Sequence, residues 1–231
     1  MVMSIIIPYI YGYEGKKIWI DISFAIGIAI FSTLSISKYF QGETTEFLFK
    51  AFEMQKKLNS IGIIDFPENN NIQYMDFETS KELVIVMNDG KNFITNNAEN
   101  LQKRFQKDSL VTTFIFLDFE NNVVEALGTA NEKSNKGMYK EKIEQSIEDI
   151  KKFRNSNSNH EFKIYLYPKG YFRTSIVLTE TFALVGLYRN SPGKTNTPLH
   201  MLFSKFGKEY HHILKDVEQL KNKSRSFSLT T

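Results

Sequence analysis

Basic and aromatic side chains alternate in the last third of this 231-residue sequence. Arginine and lysine neutralise phosphate groups, and aromatic rings stack on nucleobases. The pattern therefore predicts a site for a nucleotide or a short oligonucleotide, although core aromatics among ordinary surface lysines would give the same pattern. The candidate ligand-binding residues in this region are Tyr171, Arg173, Tyr188, Arg189 and Lys194.

A second candidate segment, Asn88-Asp89-Gly90-Lys91, follows an apolar run of strand length. Its composition is typical of a tight turn, and open α/β sheets bind ligands at the carboxyl ends of their strands. Asn88 and Lys91 are therefore further candidates for ligand binding. A turn with no function in binding would have the same composition.

Motifs for the common catalytic and cofactor chemistries are absent from the sequence. It has no Walker loop, no paired-glycine dinucleotide fingerprint and no His-Glu-x-x-His zinc motif. The lack of cysteine excludes disulfides and thiolate metal sites. The adjacent His211 and His212 are poorly spaced for metal ligands on a helix. We therefore expect no cofactor and no metal.

The pattern of apolar runs predicts an α/β domain over residues 61–231. Runs of strand length alternate with polar stretches of helical period, which favours a mixed, mostly parallel sheet flanked by helices. The last two runs follow each other closely and predict an antiparallel pair. We expect residues 222–231 to be frayed. The predicted strands are residues 61–66, 83–87, 110–117, 162–167, 172–178 and 182–188, and the predicted helices are 77–82, 93–105 and 138–153, followed by a basic C-terminal helix.

The order of these elements resembles one half of the phospholipase D-like fold over residues 61–220. Active members of that family carry a His-x-Lys-x4-Asp motif in the strand that matches residues 172–178. There the histidine attacks phosphorus and the lysine holds the phosphate oxygens. This sequence has Phe172, Thr174 and Thr179 at those three positions. The resemblance therefore implies a domain that binds a phosphodiester without cleaving it, and we predict that the protein is not an enzyme.

Residues 18–36 are the most apolar stretch of the chain. They carry one formal charge, Asp21, and their mean hydropathy of about 1.9 exceeds the usual cutoff for a membrane window. As a helix they would rise about 28 Å, enough to cross most of the hydrocarbon core. We predict a spanning helix within an N-terminal membrane segment, residues 1–41. The alternatives are a buried core helix, a strand over residues 16–23 followed by a short helix, and a preceding β-hairpin that turns at Glu14-Gly15.

Helical spacing continues over residues 42–60, where Phe47, Ala51 and Leu58 fall on one face. We predict a connecting helix there. Its apolar stripe would be the contact between copies of the chain, or it would pack on the chain's own core.

The net charge of +3 is unevenly distributed along the chain. Residues 161–231 contain eleven Lys and Arg against five Asp and Glu, which leaves +6 in the last third. An excess of this size favours an anionic partner, although a solvated basic face would also produce it.

A membrane helix joined to a basic α/β domain without catalytic residues resembles the architecture of small bacterial anti-phage effectors. In these, a nucleotide or oligonucleotide signal controls a membrane-disrupting oligomer, and the channel subunit of Hailong-type systems is held closed by a DNA oligomer. The resemblance implies a homo-oligomeric pore or ion channel, taken as a tetramer, in the inner membrane with its soluble domain in the cytoplasm. Asp21 would lie near one pore mouth, since a charge in a membrane is least costly beside water.

Two other classes of function stay open at this point. One is a membrane-tethered phospholipase D-like phosphodiesterase or nuclease whose active site a second chain completes. The other is a soluble interaction module in which residues 18–36 belong to the core. Extraction from membranes separates the last class from the others, because only a membrane protein would require detergent.

Overall fold

The structure is a computed structural model that describes residues 3–68, 76–120, 122–131, 137–154, 159–188 and 199–228. The chain divides into two compact units, Met1–Lys56 and Lys57–Thr231. The first unit is helical. The second contains a β-sheet with its flanking helices.

A single helix, α1, extends from Met3 to Ile61. Between Ile20 and Ile61 it includes an 18-residue window with a mean hydropathy of 1.8, none of it buried within the protein. By length and composition, α1 is therefore able to cross a membrane. The alternatives with a strand over residues 16–23 or a hairpin at Glu14-Gly15 are wrong, because the backbone there is helical.

Two threonine hydroxyl groups in α1 donate hydrogen bonds to carbonyl groups of the helix itself. The hydroxyl of Thr33 donates a hydrogen bond to the carbonyl of Ala29 at 2.8 Å, and that of Thr45 donates to the carbonyl of Gln41 at 2.7 Å. A bond to the carbonyl four residues earlier lowers the free-energy cost of placing a polar side chain in an apolar environment. Because α1 is continuous from Met3 to Ile61, the predicted spanning and connecting segments are parts of one helix.

Eight strands form one mixed sheet in the second unit, in the order β1-β7-β6-β5-β2-β3-β4-β8. Strands β2, β3 and β4 are parallel to one another, and the other described strand pairs are antiparallel. The strands are β1 Ile63–Asp65, β2 Glu82–Val86, β3 Val111–Leu117, β4 Glu161–Tyr167, β5 Thr174–Leu178, β6 Phe182–Leu187, β7 His200–Ser204 and β8 Arg225–Phe227.

The predicted α/β class with a mixed sheet is confirmed, but the expectation of a mostly parallel sheet is wrong. The six predicted strands match β1 to β6. The antiparallel pairing of β5 with β6 is confirmed, but β5 is also antiparallel to β2, and β7 and β8 add further antiparallel pairs. Strand β8 also contradicts the expected frayed tail, since Phe227 pairs with Ile164 of β4.

Five further helices occur in the described part of the second unit, namely α2 Lys91–Asn96, α3 Ala98–Phe105, α4 Val123–Ala130, α5 Met138–Phe153 and α6 Lys208–Lys223. The predicted bounds of α5 are confirmed. The single helix expected over residues 93–105 is two helices, because the chain turns at Asn97, whose side-chain amide donates to the carbonyl of Phe93 at 3.0 Å. No helix forms over residues 77–81. A turn closed by Ser80 N–H and the Asp76 carbonyl at 2.7 Å precedes β2 there.

The core encloses the centre of the sheet. Four consecutive residues of β3, Phe114 to Leu117, have no exposed surface. Successive residues of a strand point to opposite faces, so both faces of the sheet are covered at β3. Helix α5 contributes Ile143, Ile147 and Ile150 to this core, which is the apolar face that its sequence period predicts.

Candidate nucleotide-binding site

Several of the predicted binding residues that the structure describes lie where the parallel strands β2, β3 and β4 end, which we call the carboxyl end of the sheet. Because their neighbours are antiparallel, β5, β7 and β8 begin at this end and β6 finishes there. Asn88 follows β2, Tyr171 and Arg173 precede β5, and Tyr188 follows β6. Four residues that are far apart in sequence therefore lie at one end of the sheet.

Asn88 joins two of these segments. Its side chain is buried, and its amide nitrogen donates to the carbonyl of Phe172 at 3.1 Å. Its amide oxygen accepts from the N–H of Phe172 at 2.8 Å. One side chain thus satisfies both backbone groups of Phe172, whose ring is also buried. The structure gives Asn88 this internal partner, so it fixes the backbone between Tyr171 and Arg173.

Tyr171 and Arg173 are exposed on either side of buried Phe172. The N–H of Tyr188 donates to the carbonyl of Arg173 at 3.1 Å, which places the two residues side by side. Tyr171 and Tyr188 are 52% and 40% exposed. No ion pair among the described residues involves Arg173. Two partly exposed tyrosines and an exposed arginine therefore lie close to one another at this end of the sheet.

A negative charge lies beside these groups. The hydroxyl end of Tyr188 is buried although its ring is partly exposed, and this burial, with the nearby carboxylate of Asp89, raises the pKa of the Tyr188 phenol. Burial and the same carboxylate also raise the pKa of Tyr139. Asp89 is held by the N–H of Lys91, which donates to its Oδ1 at 2.9 Å. Both phenols therefore stay protonated donors at neutral pH.

Lys91 also lies at the carboxyl end, but its charge has a partner within the protein. Its Nζ is 2.5 Å from Oδ2 of Asp149, and both side chains are largely buried. The hydroxyl of Ser146, also on α5, donates to the carbonyl of Asp89 at 2.8 Å. These contacts fasten the turn after β2 to α5. A ligand phosphate would have to displace Asp149 to reach Lys91.

Sequence reasoning missed one basic group at this end, Arg225 of β8. Its Nε donates to Oδ2 of Asp118 at 2.7 Å, and its Nη2 donates to Oδ1 of Asp118 at 2.9 Å and to Glu120 at 2.8 Å. These hydrogen bonds from Arg225 lower the pKa of Asp118. The segment Arg225–Phe227 contains one apolar residue, so no apolar run in the sequence marks it as a strand.

The residues at the three positions of the family motif are spread along β5. Phe172 is buried before the strand, and Thr174 begins it. Thr179 lies at the opposite end, where its hydroxyl accepts from the N–H of Phe182 at 3.1 Å in the turn to β6. Among the described residues, no group of three or more His, Asp or Glu side chains is arranged to hold a metal ion.

Three predicted site residues are not part of this geometry. Arg189 and Lys194 lie outside the described residues. Asp21 is exposed on α1, in the first unit.

No family model matches the sequence, and no curated protein matches it as a relative. Among solved structures, the chain is similar to TrmBL2, an archaeal chromatin protein described as showing a novel mode of DNA binding. That similarity has a TM-score of 0.40 and 9% identity, and it covers 82% of this chain and 67% of TrmBL2.

Nuc from Salmonella typhimurium, a phospholipase D family member, matches with a TM-score of 0.35 and 8% identity, over 66% of this chain and 86% of Nuc. NucT from Helicobacter pylori matches with a TM-score of 0.35 and 10% identity, over 76% of this chain and 94% of NucT. Structural neighbours thus include phospholipase D family members at low identity. Similarity this distant assigns the chain to no family.

Proposed function

We propose that this protein is a membrane-anchored effector whose α/β domain binds a nucleotide or short oligonucleotide without hydrolysing it. The observation that carries the proposal is the convergence of Tyr171, Arg173 and Tyr188 in exposed positions at the carboxyl end of the sheet. Arg173 would bind a phosphate group, and the two rings would stack on bases. Stacking supplies about 1–3 kcal/mol per base.

The charges around the site restrict where a phosphate group would bind. Asp89 repels an anion near the buried hydroxyl end of Tyr188, and Lys91 is already paired with Asp149. The exposed guanidinium group of Arg173 is the favourable position. Arg189 and Lys194 follow Tyr188 in sequence and are proposed as further phosphate-binding residues.

We propose binding without turnover because Phe172, Thr174 and Thr179 offer neither the nucleophile nor the lysine and the acid of the family motif. A phosphodiesterase completed by a second chain is the competing function. Mass spectrometry of an oligonucleotide incubated with the purified protein separates the two functions. We expect the oligonucleotide to be recovered intact, and shortened products would contradict the proposal.

We also propose that α1 anchors the protein in the bacterial inner membrane, with the α/β domain in the cytoplasm. Large apolar side chains are exposed along α1 from Ile20 to Ile36, where a bilayer would cover them. Replacing Ala25 and Ile28 with arginine places two charges near the middle of the span, at about 2.5–3.5 kcal/mol each. The double variant should leave the membrane fraction. Unchanged detergent-dependent extraction would contradict the anchor.

The same helix would assemble copies of the chain into a homo-oligomeric pore or ion channel, a tetramer, that acts in anti-phage defence under control of the ligand. Asp21 supports this proposal, because a carboxylate in a membrane helix is least costly when it faces a water-filled interior shared by several copies. Light scattering of the detergent-solubilised protein measures the assembly. A monomer at every workable concentration would contradict the pore.

Native mass spectrometry of protein purified from cells tests the ligand directly. We expect a co-purified anion that contains phosphate, and the Arg173→Ala variant should retain less of it. A wild-type protein that carries no ligand and binds no added nucleotide at low salt would contradict the proposed function.

A further inference from the structure

Helix α1 continues well beyond the proposed membrane span over residues 18–36, since it ends at Ile61. At a rise of about 1.5 Å per residue, residues 37–61 extend about 37 Å past the end of that span. The headgroup region of a bilayer adds only about 5–8 Å on each side of the hydrocarbon core. Most of residues 37–61, which we call the stem, would therefore lie in water.

The stem exposes large apolar side chains. The following are each at least 60% exposed: Tyr39, Phe40, Phe47, Leu48, Phe49, Phe52 and Met54. Because a large aromatic side chain offers about 150–250 Å², these residues together present roughly 700 Å² of apolar surface. The largest apolar patch of a typical monomer is about 300–600 Å², and a stable interface buries about 800 Å² per partner. An exposed area of this size indicates a protein partner for the stem.

One face of the stem repeats every seven residues. The residues at intervals of seven are Phe40, Phe47, Met54 and Ile61. Three residues before each of the last three lie Thr44, Ala51 and Leu58. Alternating intervals of three and four residues define the a and d positions of a coiled coil, where one helix packs against another. We call these seven residues the seam, and six of them are apolar.

The charged residues of the stem all lie off the seam. They are Lys38, Glu43, Glu46, Lys50, Glu53, Lys56 and Lys57. Glu46 and Lys50 form an ion pair along the helix at 2.7 Å. A charge at an a or d position would be buried between helices at a high free-energy cost. The distribution of charge therefore leaves the seam free to pack against another helix.

We propose that the seam packs against the same residues in other copies of this chain, as a parallel coiled coil outside the membrane. This inference rests on the proposed homo-oligomer and names the surface that joins the copies. The helices are parallel because every copy would cross the bilayer through the same segment and in the same direction. A strict seven-residue repeat winds such helices into a left-handed supercoil.

Two matched substitutions test the seam in full-length protein in detergent, with molar mass measured by light scattering. Phe47→Glu places a charge in the seam. Phe49→Glu makes the same change on the opposite face of the helix, at a side chain of similar exposure. We expect the dissociation constant of the oligomer to rise at least about tenfold for Phe47→Glu, because its charge must be buried for the helices to pack. Phe49→Glu should assemble like wild type.

Disulfide cross-linking tests the register directly, because the chain contains no cysteine. Met54→Cys places a thiol in the seam, where parallel packing in register brings two copies within the Cα separation of about 4.4–6.8 Å that a disulfide needs. Lys56→Cys places a thiol on the opposite face and is the control. After mild oxidation, a non-reducing gel should show a covalent dimer for Met54→Cys and a monomer for Lys56→Cys.

Two sets of results would overturn the inference, and they are distinguishable. If wild-type protein is an oligomer but the two glutamate variants assemble equally well, or the two cysteine variants cross-link equally, the coiled coil is wrong and the proposed oligomer stands on another contact. If wild-type protein is a monomer at every workable concentration, the coiled coil and the proposed oligomer are both wrong.

Discussion

Each end of the sheet has an arginine, but the arginine at the amino end is buried and the one at the carboxyl end is exposed. At the amino end, where β2 to β4 begin, Arg104 is completely buried. Its guanidinium group donates to the hydroxyl of Thr112 at 2.8 Å. It also donates to three backbone carbonyls, those of Phe77, Ser80 and Val111. At the carboxyl end, Arg173 is exposed beside two partly exposed tyrosine rings.

A histidine accompanies the arginine at each end. His160, at the amino end, is buried with its Nε2 2.9 Å from the Thr112 hydroxyl and its Nδ1 3.2 Å from the carbonyl of Lys107. Burial is the main cause that lowers the pKa of His160. His200 lies at the carboxyl end, where it is buried opposite Gly186 of β6. Residue type alone therefore says little about function here, and the clearest difference lies between the arginines: backbone carbonyls accept from Arg104, whereas Arg173 is exposed.

The largest effect should follow from Arg104→Ala. Burial lowers the pKa of Arg104 to about 10, so it remains charged at neutral pH. Its removal leaves three buried carbonyls without their donor, and we expect the free energy of unfolding to fall by about 3–5 kcal/mol. Arg173→Ala should change it by less than about 0.5 kcal/mol. Thermal unfolding of both variants measures the loss of unfolding free energy in each. Equal losses would contradict the proposed difference between the two ends of the sheet.

Asn88→Ala should affect both stability and binding. Two hydrogen bonds to buried backbone of Phe172 are lost, which should lower the free energy of unfolding by about 2 kcal/mol. Binding of labelled DNA should weaken as well, because the segment that carries Tyr171 and Arg173 loses its tether. Ligand affinity that stays unchanged in a folded Asn88→Ala protein would show that the tether has no part in binding.

The ion pair between Arg225 and Asp118 predicts a pH dependence of stability. The folded pKa of Asp118 lies below its unfolded value, so the pair stabilises the fold above about pH 4 and this stabilisation is lost as pH falls through the folded pKa. Arg225→Ala should lower the free energy of unfolding by about 1 kcal/mol at pH 7. Its difference from wild type should shrink below about pH 4. A difference that is the same at pH 3 and pH 7 would contradict this assignment.

Asp89→Asn should change DNA binding by a smaller amount, and it should strengthen binding where the other variants weaken it. Asparagine also caps the turn before α2, but it removes the negative charge beside Tyr188. DNA binding should become a few-fold tighter at low salt, and the gain should diminish as salt screens the charge. Asp108→Asn, at the amino end, is the matched control. If the control tightens binding equally, the effect arises from net charge and not from the site.

Periodicity predicted the elements, and strand ends predicted the general position of the site. Six strands and α5 follow from apolar patterns that depend on neighbouring residues only. The hydrogen-bond partners of the site residues cannot be predicted from such patterns, because Asn88 bonds Phe172 across 84 positions of sequence. The strand that carries Arg225 contains a single apolar residue, Phe227, so no apolar run marks it. Arg104 gave no sign of burial, since a cation on an amphipathic helix is usually solvated.

Binding of labelled single-stranded DNA by the full-length protein, measured over a range of salt concentrations, tests the central claim most directly. Wild-type protein should bind, and Arg173→Ala should bind more weakly with a log–log salt slope smaller by about 0.7, the contribution of one phosphate contact. Arg154→Ala, an exposed arginine after α5 at the amino end, should match wild type. Absence of wild-type binding, or equal losses for the two arginine variants, would contradict a nucleotide site at the carboxyl end.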